Sequence, residues 1–423
     1  MRKKLLILNY QREVPPFLQT QVKFAKDFFD DIYYVTPKLY NDNTETICYE
    51  NVRVVIIKKT VRVWSYIRTL IGIWFNHSFW REFFRSNEVG ESTAVRIKHF
   101  LTIDFVSYNM YRTAEHLLKN RMSDDKISVL AGWFSNEAMA AALLKEKFPQ
   151  IKTYSFAHSY EIHPGRNRMM PYCYNKLKHE NIDRVFFISE TMRELYDEGT
   201  AHLYEKELKE KSDVLYLGSV KLYDKGNELQ ELNKFRVCTC SSVVALKRLD
   251  LLLDAIERWN LCNLEWTHIG GGYLFQAIKK RADKIMESND KVKIKLLGKF
   301  VNSDVQKYYS EEEVDLFVNI SEVEGLPVSI MEAISYGIPI LATDVGGTKE
   351  IVDEKNGFLV PASLSAEDLK SYLEKFYLLP LETKIKYRNN SIMRWHCKFD
   401  TSKTAPEFYK ILSNGKNVAA VNA

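Results

Sequence analysis

Two glutamates eight residues apart, Glu324 and Glu332, lie in the stretch from Ser321 to Gly347. The apolar, β-rich run Val314–Ile320 precedes them. Pro327 opens a helix and Gly337 closes it, with Pro inside the start and Gly past the end. Glu324 therefore sits in a loop at a strand's carboxyl end, beside Gly325, whose missing side chain lets backbone approach a ligand. Glu332 lies more than one turn into the helix, deeper in the same crevice. The helix N-terminus turns free N–H groups toward that crevice and favours an anion there. Carboxylates that accept from hydroxyls, next to positive potential for phosphate, are what a sugar diphosphate requires. The plainer alternative is a loop charge and a solvated helix residue. Agreement of strand, loop, helix and following strand favours the binding site.

Lys247 follows the apolar run Phe235–Cys240, near the start of the helix that holds Leu251 and Leu252, where a phosphate partner would stand. An ordinary helix-terminal lysine is the alternative, and Arg248 beside it reads as a surface charge. In the first half of the chain, His158 follows the strand Lys152–Phe156, in the segment Ala157 to Glu161. A histidine there could hydrogen-bond a sugar or help deprotonate an acceptor hydroxyl. A structural histidine bonded to backbone is the competing reading. His163 and Arg166 rank lower, as do Asn136 and Glu137 at a helix start, which would line an acceptor side. Gly270, Gly271 and Gly272 form no Gly-x-Gly-x-x-Gly fingerprint, so dinucleotide binding is not supported. No Asp-x-Asp triplet, P-loop or Gly-x-Ser-x-Gly elbow occurs. A diphosphate-bridging Mg2+ or Mn2+ therefore has no candidate ligands, and no metal is expected.

The elements that must position these residues are those of an α/β protein. From Phe235 onward, short strands (Phe235–Cys240, Leu264–Ile269, Val292–Leu297, Val314–Ile320, Ile338–Ala342) alternate with helices near Leu249–Trp259, Leu274–Glu287, Val305–Tyr309 and Val328–Tyr336. Apolar strand runs separated by helices predict a parallel sheet covered on both faces, with its ligand crevice at the carboxyl ends. The first half carries strands at Leu5–Leu8, Asp31–Thr36, Val52–Ile57, Ser128–Ala131, Lys152–Phe156 and Arg184–Ser189, with helices over Gln19–Phe29, Arg96–Asn120 and Asn136–Glu146. The expected division is a first domain over residues 1–218, a polar linker over 219–233 and a second domain over 234–397. A helical tail over 398–423 would reach back to the first domain.

A chain of 423 residues, 46% hydrophobic and 27% charged with 11 Pro and 17 Gly, is globular rather than disordered or collagen-like. Its six cysteines include no Cys-x2-Cys pair, which fits a reducing compartment better than a disulfide framework. The N-terminal apolar run, Leu5–Leu8, is too short for a signal peptide, and Thr69–Trp80 is too short to span a bilayer. A soluble or peripheral protein is expected.

The stretch around Glu324 and Glu332 resembles the Glu-x7-Glu signature of the retaining glycosyltransferases of family 4. The resemblance continues through Cys240 to Asp250, His268 to Gly272, Leu297 to Phe300 and Asn356 to Phe358, about 170 residues in all. It implies the GT-B fold: α/β, two Rossmann-like doubly wound domains facing across a cleft. Bacterial enzymes that build capsule, exopolysaccharide or lipopolysaccharide chains are the most similar in pattern. Glu332 resembles the glutamate that takes the nucleotide ribose hydroxyls. Glu324 resembles the one that contacts the sugar, helped by backbone N–H groups around Gly325, Leu326, Pro327 and Val328. Lys247 resembles the lysine that neutralises the diphosphate. Many members carry an arginine five residues earlier, where this chain has Ser242, a hydroxyl donor only. In the family context Gly271 lines the nucleotide cleft and Phe300 lies beside the base. His158 resembles the histidine of an Ala-His-Gly-Tyr segment, with Ser159 where Gly is common. The implied function is hexose transfer, with retention, from a UDP- or GDP-sugar to a hydroxyl of a growing lipid-linked glycan. The nucleotide sugar is a substrate, and no separate cofactor is implied. Alternatives are a non-catalytic glycan- or partner-binding GT-B protein at the membrane, or a nucleotide-sugar epimerase on the same fold.

The net charge of +5 is concentrated. Residues 51–100 hold nine Lys/Arg against three Asp/Glu, so the other 373 residues sum to −1. Three of the seven Trp lie in the same fifty residues. A diffuse nucleic-acid-binding charge is thus excluded. Trp64, Ile67, Ile71, Trp74, Phe75 and Ser78 fall at helical spacing, and Phe79, Trp80, Phe83 and Phe84 continue the aromatic density. Arg62, Arg68, Arg81 and Arg85 surround them. One reading is domain interior with a solvated rim. The other is a surface that meets anionic lipid, with the enzyme peripheral on the cytoplasmic face of the plasma membrane.

Overall fold

The structure is a computed structural model that describes residues 2–11, 14–37, 47–72, 77–121, 125–163, 168–169, 174–200, 210–224 and 234–414. It divides into two compact units, residues 1–217 with 403–423, and residues 218–402.

The first unit is built on a parallel seven-stranded sheet. Its strands are β1 (Lys3–Leu8), β2 (Asp31–Thr36), β3 (Val52–Ile56), β4 (Lys126–Ala131), β5 (Lys152–Ala157), β6 (Arg184–Phe187) and β7 (Ser212–Val214). Their order across the sheet is β3-β2-β1-β4-β5-β6-β7. β1 and β2 are apolar at four of six residues each and buried on both faces, as a central parallel strand requires. Leu5, Ile7, Leu18, Tyr34, Phe156 and Phe186 form the core. Phe408, Tyr409 and Leu412 of the helix Thr401–Asn414 join that core from the far end of the chain, and Lys3 Nζ bonds Asn414 at 3.1 Å. Between β3 and β4 the chain forms the helices Lys59–Gly72, His77–Arg85 and Thr93–Arg121.

The second unit carries six parallel strands: β8 (Lys234–Cys240), β9 (Asn263–Ile269), β10 (Val292–Leu296), β11 (Leu316–Asn319), β12 (Ile340–Thr343) and β13 (Gly357–Val360). Their order is β10-β9-β8-β11-β12-β13. The order reverses between β8 and β11, and an open α/β sheet binds its ligand at such a switch point. Trp259, Trp266, Leu252, Leu253 and Ile256 pack one face among the apolar side chains of the core. The helix Val328–Ser335 ends in the left-handed Gly337, φ 72°. The Ile338 and Gly337 amides close it on the carbonyls of Ala333 and Ile334, at 3.1 and 3.0 Å. The opening residues of the polar stretch 219–233 are bonded into this unit. Trp395 Nε1 donates to Ser219 Oγ at 2.9 Å, and the Leu222 amide to Gln306 Oε1 at 2.9 Å.

Candidate active site

Four neighbouring strands of the second unit present their carboxyl ends together. The loop after β8 carries Ser242 and Lys247, that after β9 Gly271, that after β10 Phe300, and that after β11 Glu324 and Gly325 to Pro327. Backbone hydrogen bonds lace these loops. The Val243 amide reaches the Gly271 carbonyl at 2.9 Å, Gly270 reaches Gly298 at 2.8 Å, and Glu322 reaches Leu246 at 2.9 Å. Such proximity demands glycine. A Cβ on Gly270, φ +147°, would lie 1.8 Å from the Ser241 carbonyl oxygen. One on Gly346, φ +54°, would lie 1.9 Å from that of Glu324. Only residues without a side chain fit.

Lys247 and Glu324 meet across the switch point. Lys247 Nζ stands 2.5 Å from Glu324 Oε1, and Asn319 Nδ2 donates to the same oxygen at 3.3 Å. Ser321 fixes Asn319 in turn, its Oγ donating to Asn319 Oδ1 at 2.7 Å. Glu324 is 7% exposed and Glu332 6%. Asn302 Nδ2 donates to Glu332 Oε1 at 2.5 Å, and Gln306 Nε2 holds Asn302 at 3.1 Å. No group among the described residues bonds Oε2 of either glutamate. Burial disfavours the charged form of Glu332 and pushes its carboxyl up to about 7, against the pull of Asn302. Gly325, Leu326 and Pro327 are buried, whereas Val328 opens the helix half exposed. Neither carboxylate is thus a solvated surface charge.

Ser242 is exposed and Phe300 partly buried. Arg248, read as a surface charge, is instead in the left-handed region, φ 53°. Its guanidinium donates to the carbonyls of Ala362 and Leu364 at 2.5 and 3.2 Å. It anchors the loop after β13 to the turn that carries Lys247. Sequence reading passed over Asn302 and Asn319, which orient the glutamates, and over the closure of Gly346 and Gly347 onto the Glu324–Gly325 backbone, 2.7 Å from the Gly347 amide to the Gly325 carbonyl. The adjacent glycines after β12 were the available signal for the last.

His158 stands in the first unit, at the end of β5. Its Nε2 lies 3.2 Å from the Gly132 carbonyl, and its ring packs on Trp133 and Phe17, with centroids 4.3 and 4.7 Å apart. Burial depresses it to about 4, so it is neutral at pH 7. Glu161 caps the His158 amide at 3.1 Å. Glu137 Oε1 accepts from the Tyr10 amide at 3.0 Å and its Oε2 from Ser135 Oγ at 2.9 Å. Asn136 begins the helix Asn136–Lys147, and His163 ends the turn Ser159–Ile162. Arg166 lies outside the described residues.

The basic, aromatic segment divides in two. Phe79 and Phe83 are buried in a cluster with Phe100 and Ile103, and Trp80 packs partly buried against it. Arg68 is committed to Asp104 at 2.6 Å and stacks over Tyr108 at 4.3 Å. Arg62 and Arg81 are partly buried and Arg85 is exposed. In contrast, Trp64 is 70% exposed, Ile71 60% and Phe84 67%. Trp74 lies outside the described residues.

Residues 224–393 match the model for glycosyl transferases group 1. The O-antigen biosynthesis glycosyltransferase WbnH of Escherichia coli is 32% identical over 144 residues, 34% of this chain and 38% of that protein. The chain thus covers about two fifths of that relative's length. The uncharacterized glycosyltransferase MJ1178 of Methanocaldococcus jannaschii is 25% identical over 318 residues, 74% of this chain and 82% of that one. Among solved structures, Anabaena Alr3699/HepE in complex with UDP superposes with a TM-score of 0.68 at 14% identity, over 97% of this chain and 100% of that one. Two parallel-sheet Rossmann-like units are the GT-B architecture, and residues 224–393 of this chain are similar to the glycosyl transferases of group 1.

Proposed function

We propose that the protein is a retaining glycosyltransferase that moves a hexose from a nucleotide-diphosphate sugar to a hydroxyl of a growing, lipid-linked surface polysaccharide. The observation that carries this is the Lys247–Glu324 contact at the β8/β11 switch point, with Glu332 one helix turn deeper. In this reading Glu332 Oε2 accepts from the ribose hydroxyls. Glu324 Oε2 accepts from the sugar, and Lys247 faces the diphosphate beside it. The amides at the start of the helix Val328–Ser335 share that negative charge. UDP in the Anabaena structure supports a uridine donor, and the O-antigen relative supports a surface polysaccharide product.

As the bond from the anomeric carbon to the diphosphate breaks, negative charge grows on the leaving oxygen and positive charge on the sugar. Groups fixed before the reaction stabilise both without reorganising. Lys247, held by Glu324, is such a group. Same-face attack by the acceptor hydroxyl then retains configuration without a covalent nucleophile. His158, neutral at pH 7, has a place as hydrogen-bond partner to sugar or acceptor. The lipid-linked acceptor is met at the cytoplasmic face of a bilayer, with Trp64, Ile71 and Phe84 toward lipid and Arg62, Arg81 and Arg85 toward its phosphates.

The test is a panel of nucleotide sugars, read by thermal shift and by release of nucleoside diphosphate without acceptor. One donor is expected to raise the melting temperature and to hydrolyse slowly, in excess EDTA as well as without it. If no nucleotide sugar stabilises the protein, the reading fails. Loss of activity on chelation, restored by Mn2+, would refute metal independence.

A further inference from the structure

The first unit contains a cavity of about 500 Å3 between its edge strand β3 and the helix Thr93–Arg121. That is within the range of small-molecule sites, roughly 300–1,000 Å3. Its lining combines apolar Val54, Ile56 and Leu117 with basic Lys58, Arg112 and His116. Residues 112 and 116 are one helix turn apart, so both rim the same opening. Lys58 has no carboxylate partner among the described residues. Arg112 pairs with Glu115, but that carboxylate also holds Lys119 at 3.0 Å and Lys147 at 2.7 Å. Three cations around one carboxylate leave the mouth of the cavity positive.

The cavity adjoins the exposed apolar face. Lys58 immediately precedes the helix Lys59–Gly72, which carries Trp64 and Ile71. That helix packs on Thr93–Arg121 through Tyr66 against Phe105, ring centroids 6.0 Å apart, and through Thr69 Oγ1 to Asp104 at 2.7 Å. A site lined by both cations and branched aliphatics matches one chemistry: a phosphate ester whose alcohol is apolar. We propose that this cavity binds the phosphate group and first carbons of an amphipathic phosphate ester, with the phosphate on Lys58 and Arg112 and the chain against Val54, Ile56 and Leu117. Guanidinium and ammonium donors to phosphate form charge-assisted bonds, the strongest available to such a ligand. The inference deepens the reading of a lipid-linked acceptor and rests on it only for the direction from which the ligand arrives.

Decyl phosphate, decanol and inorganic phosphate, each titrated calorimetrically into the full chain below micellar concentration, test it. Decyl phosphate is expected to bind at least tenfold more tightly than either fragment alone. Lys58→Gln with Arg112→Gln should weaken it at least tenfold, with Glu115 still held by Lys119 and Lys147. Thr113→Tyr, which fills the cavity without altering charge, should abolish binding, and Lys58→Arg should preserve it. Competition by phosphatidic acid vesicles would assign the site to a bilayer headgroup. Continued binding in their presence would assign it to a free ester. Equal binding of decanol and decyl phosphate, or no loss in the double and cavity-filling variants, overturns the inference. UDP binding is measured on the same samples. If it persists while decyl phosphate fails, only the cavity inference falls; if UDP alone fails, only the donor reading does.

Discussion

The two units share a strand order, β3-β2-β1-β4-β5-β6 in one and β10-β9-β8-β11-β12-β13 in the other, yet their candidate sites are built differently. In the second unit the loops touch backbone to backbone. A Cβ would come within 2.4 Å of a neighbouring backbone oxygen at Gly270, Gly272, Gly346 and Gly357. In the first unit, His158 is positioned by ring packing on Trp133 and Phe17 and by one carbonyl. Backbone contact restricts residue type severely, whereas ring packing admits many solutions. The difference explains why the second unit's site is written in several motifs and the first unit's only in the short segment around His158.

The sharpest way to break this comparison is to add one methyl group. Gly346→Ala places a Cβ against the Glu324 carbonyl at φ +54°, so the loop that carries Glu324 must move. Turnover should fall about a hundredfold, the usual penalty for a displacement near 1 Å in a reacting site. Gly90→Ala, at φ +74° with nothing within 4 Å, should cost only about 1–2 kcal/mol of stability. Initial rates and urea melts of the two variants decide it. Wild-type turnover in Gly346→Ala would show that the backbone contact does not position Glu324.

The ion pair comes next. Lys247→Met removes the cation bonded to Glu324 and should lower kcat by roughly 100-fold or more, the scale of losing a fixed transition-state donor. Lys247→Arg should recover part of it. A change in KM alone would place Lys247 in ground-state binding only.

Legibility in the sequence follows the same division. Eleven of the thirteen described strands could be read within a few residues, because buried parallel strands are rich in apolar residues; the short β7 and β13 could not. Leu5–Leu8 and Asp31–Thr36, the latter apolar at four of its six residues, are examples. Glu324, Glu332 and Lys247 could be read from their places at strand and helix ends. Asn302 could not, since its bond to Glu332 joins residues 30 apart on different helices and leaves no local pattern. Which of the two readings of Trp80 and Arg68 holds could not be read for a related reason. Aromatic and basic density in sequence does not say which side of a helix meets Phe79 or Asp104.

Glu332 gives a prediction with a sign. Burial raises its carboxyl to about 7 from an unfolded value of 4.5. Between those values the folded chain holds the extra proton, so stability falls as pH rises through that window, and the full penalty stands above pH 7. Glu332→Gln escapes it while still accepting from Asn302. It should stabilise the protein at pH 8 by about 3 kcal/mol and have little effect near pH 4.5. A ribose hydroxyl bonded to the carboxylate favours the ionised form, so UDP affinity of the wild type should rise about tenfold from pH 6 to pH 8. The variant should bind UDP weakly and without that slope. Denaturant melts and calorimetry at both pH values read the two effects separately. A pH-independent wild-type affinity would remove Glu332 from the ribose contact.

The smallest effects belong to the first unit's exposed face, where the structure sharpens what composition suggested. Arg68 spends its charge on Asp104, while Arg85 is exposed and lies beside Phe84. Each cation free to meet anionic lipid adds about 1 kcal/mol, so Arg85→Gln should weaken partitioning onto anionic vesicles by about fivefold. Arg68→Gln should change it less than about twofold and lower the melting temperature instead, because buried Asp104 loses its charged partner and keeps only Thr69 among the described residues. Trp64→Ser with Ile71→Ser removes apolar area that water already reaches. It should therefore reduce binding to neutral and anionic vesicles alike, with the fold unharmed. Co-sedimentation at low and high salt separates the two contributions, since only the arginine term is screened. If Arg68→Gln and Arg85→Gln weakened binding equally, the charges would act as a diffuse field rather than as individual contacts. If none of the variants moved partitioning, this face would have no role at a bilayer.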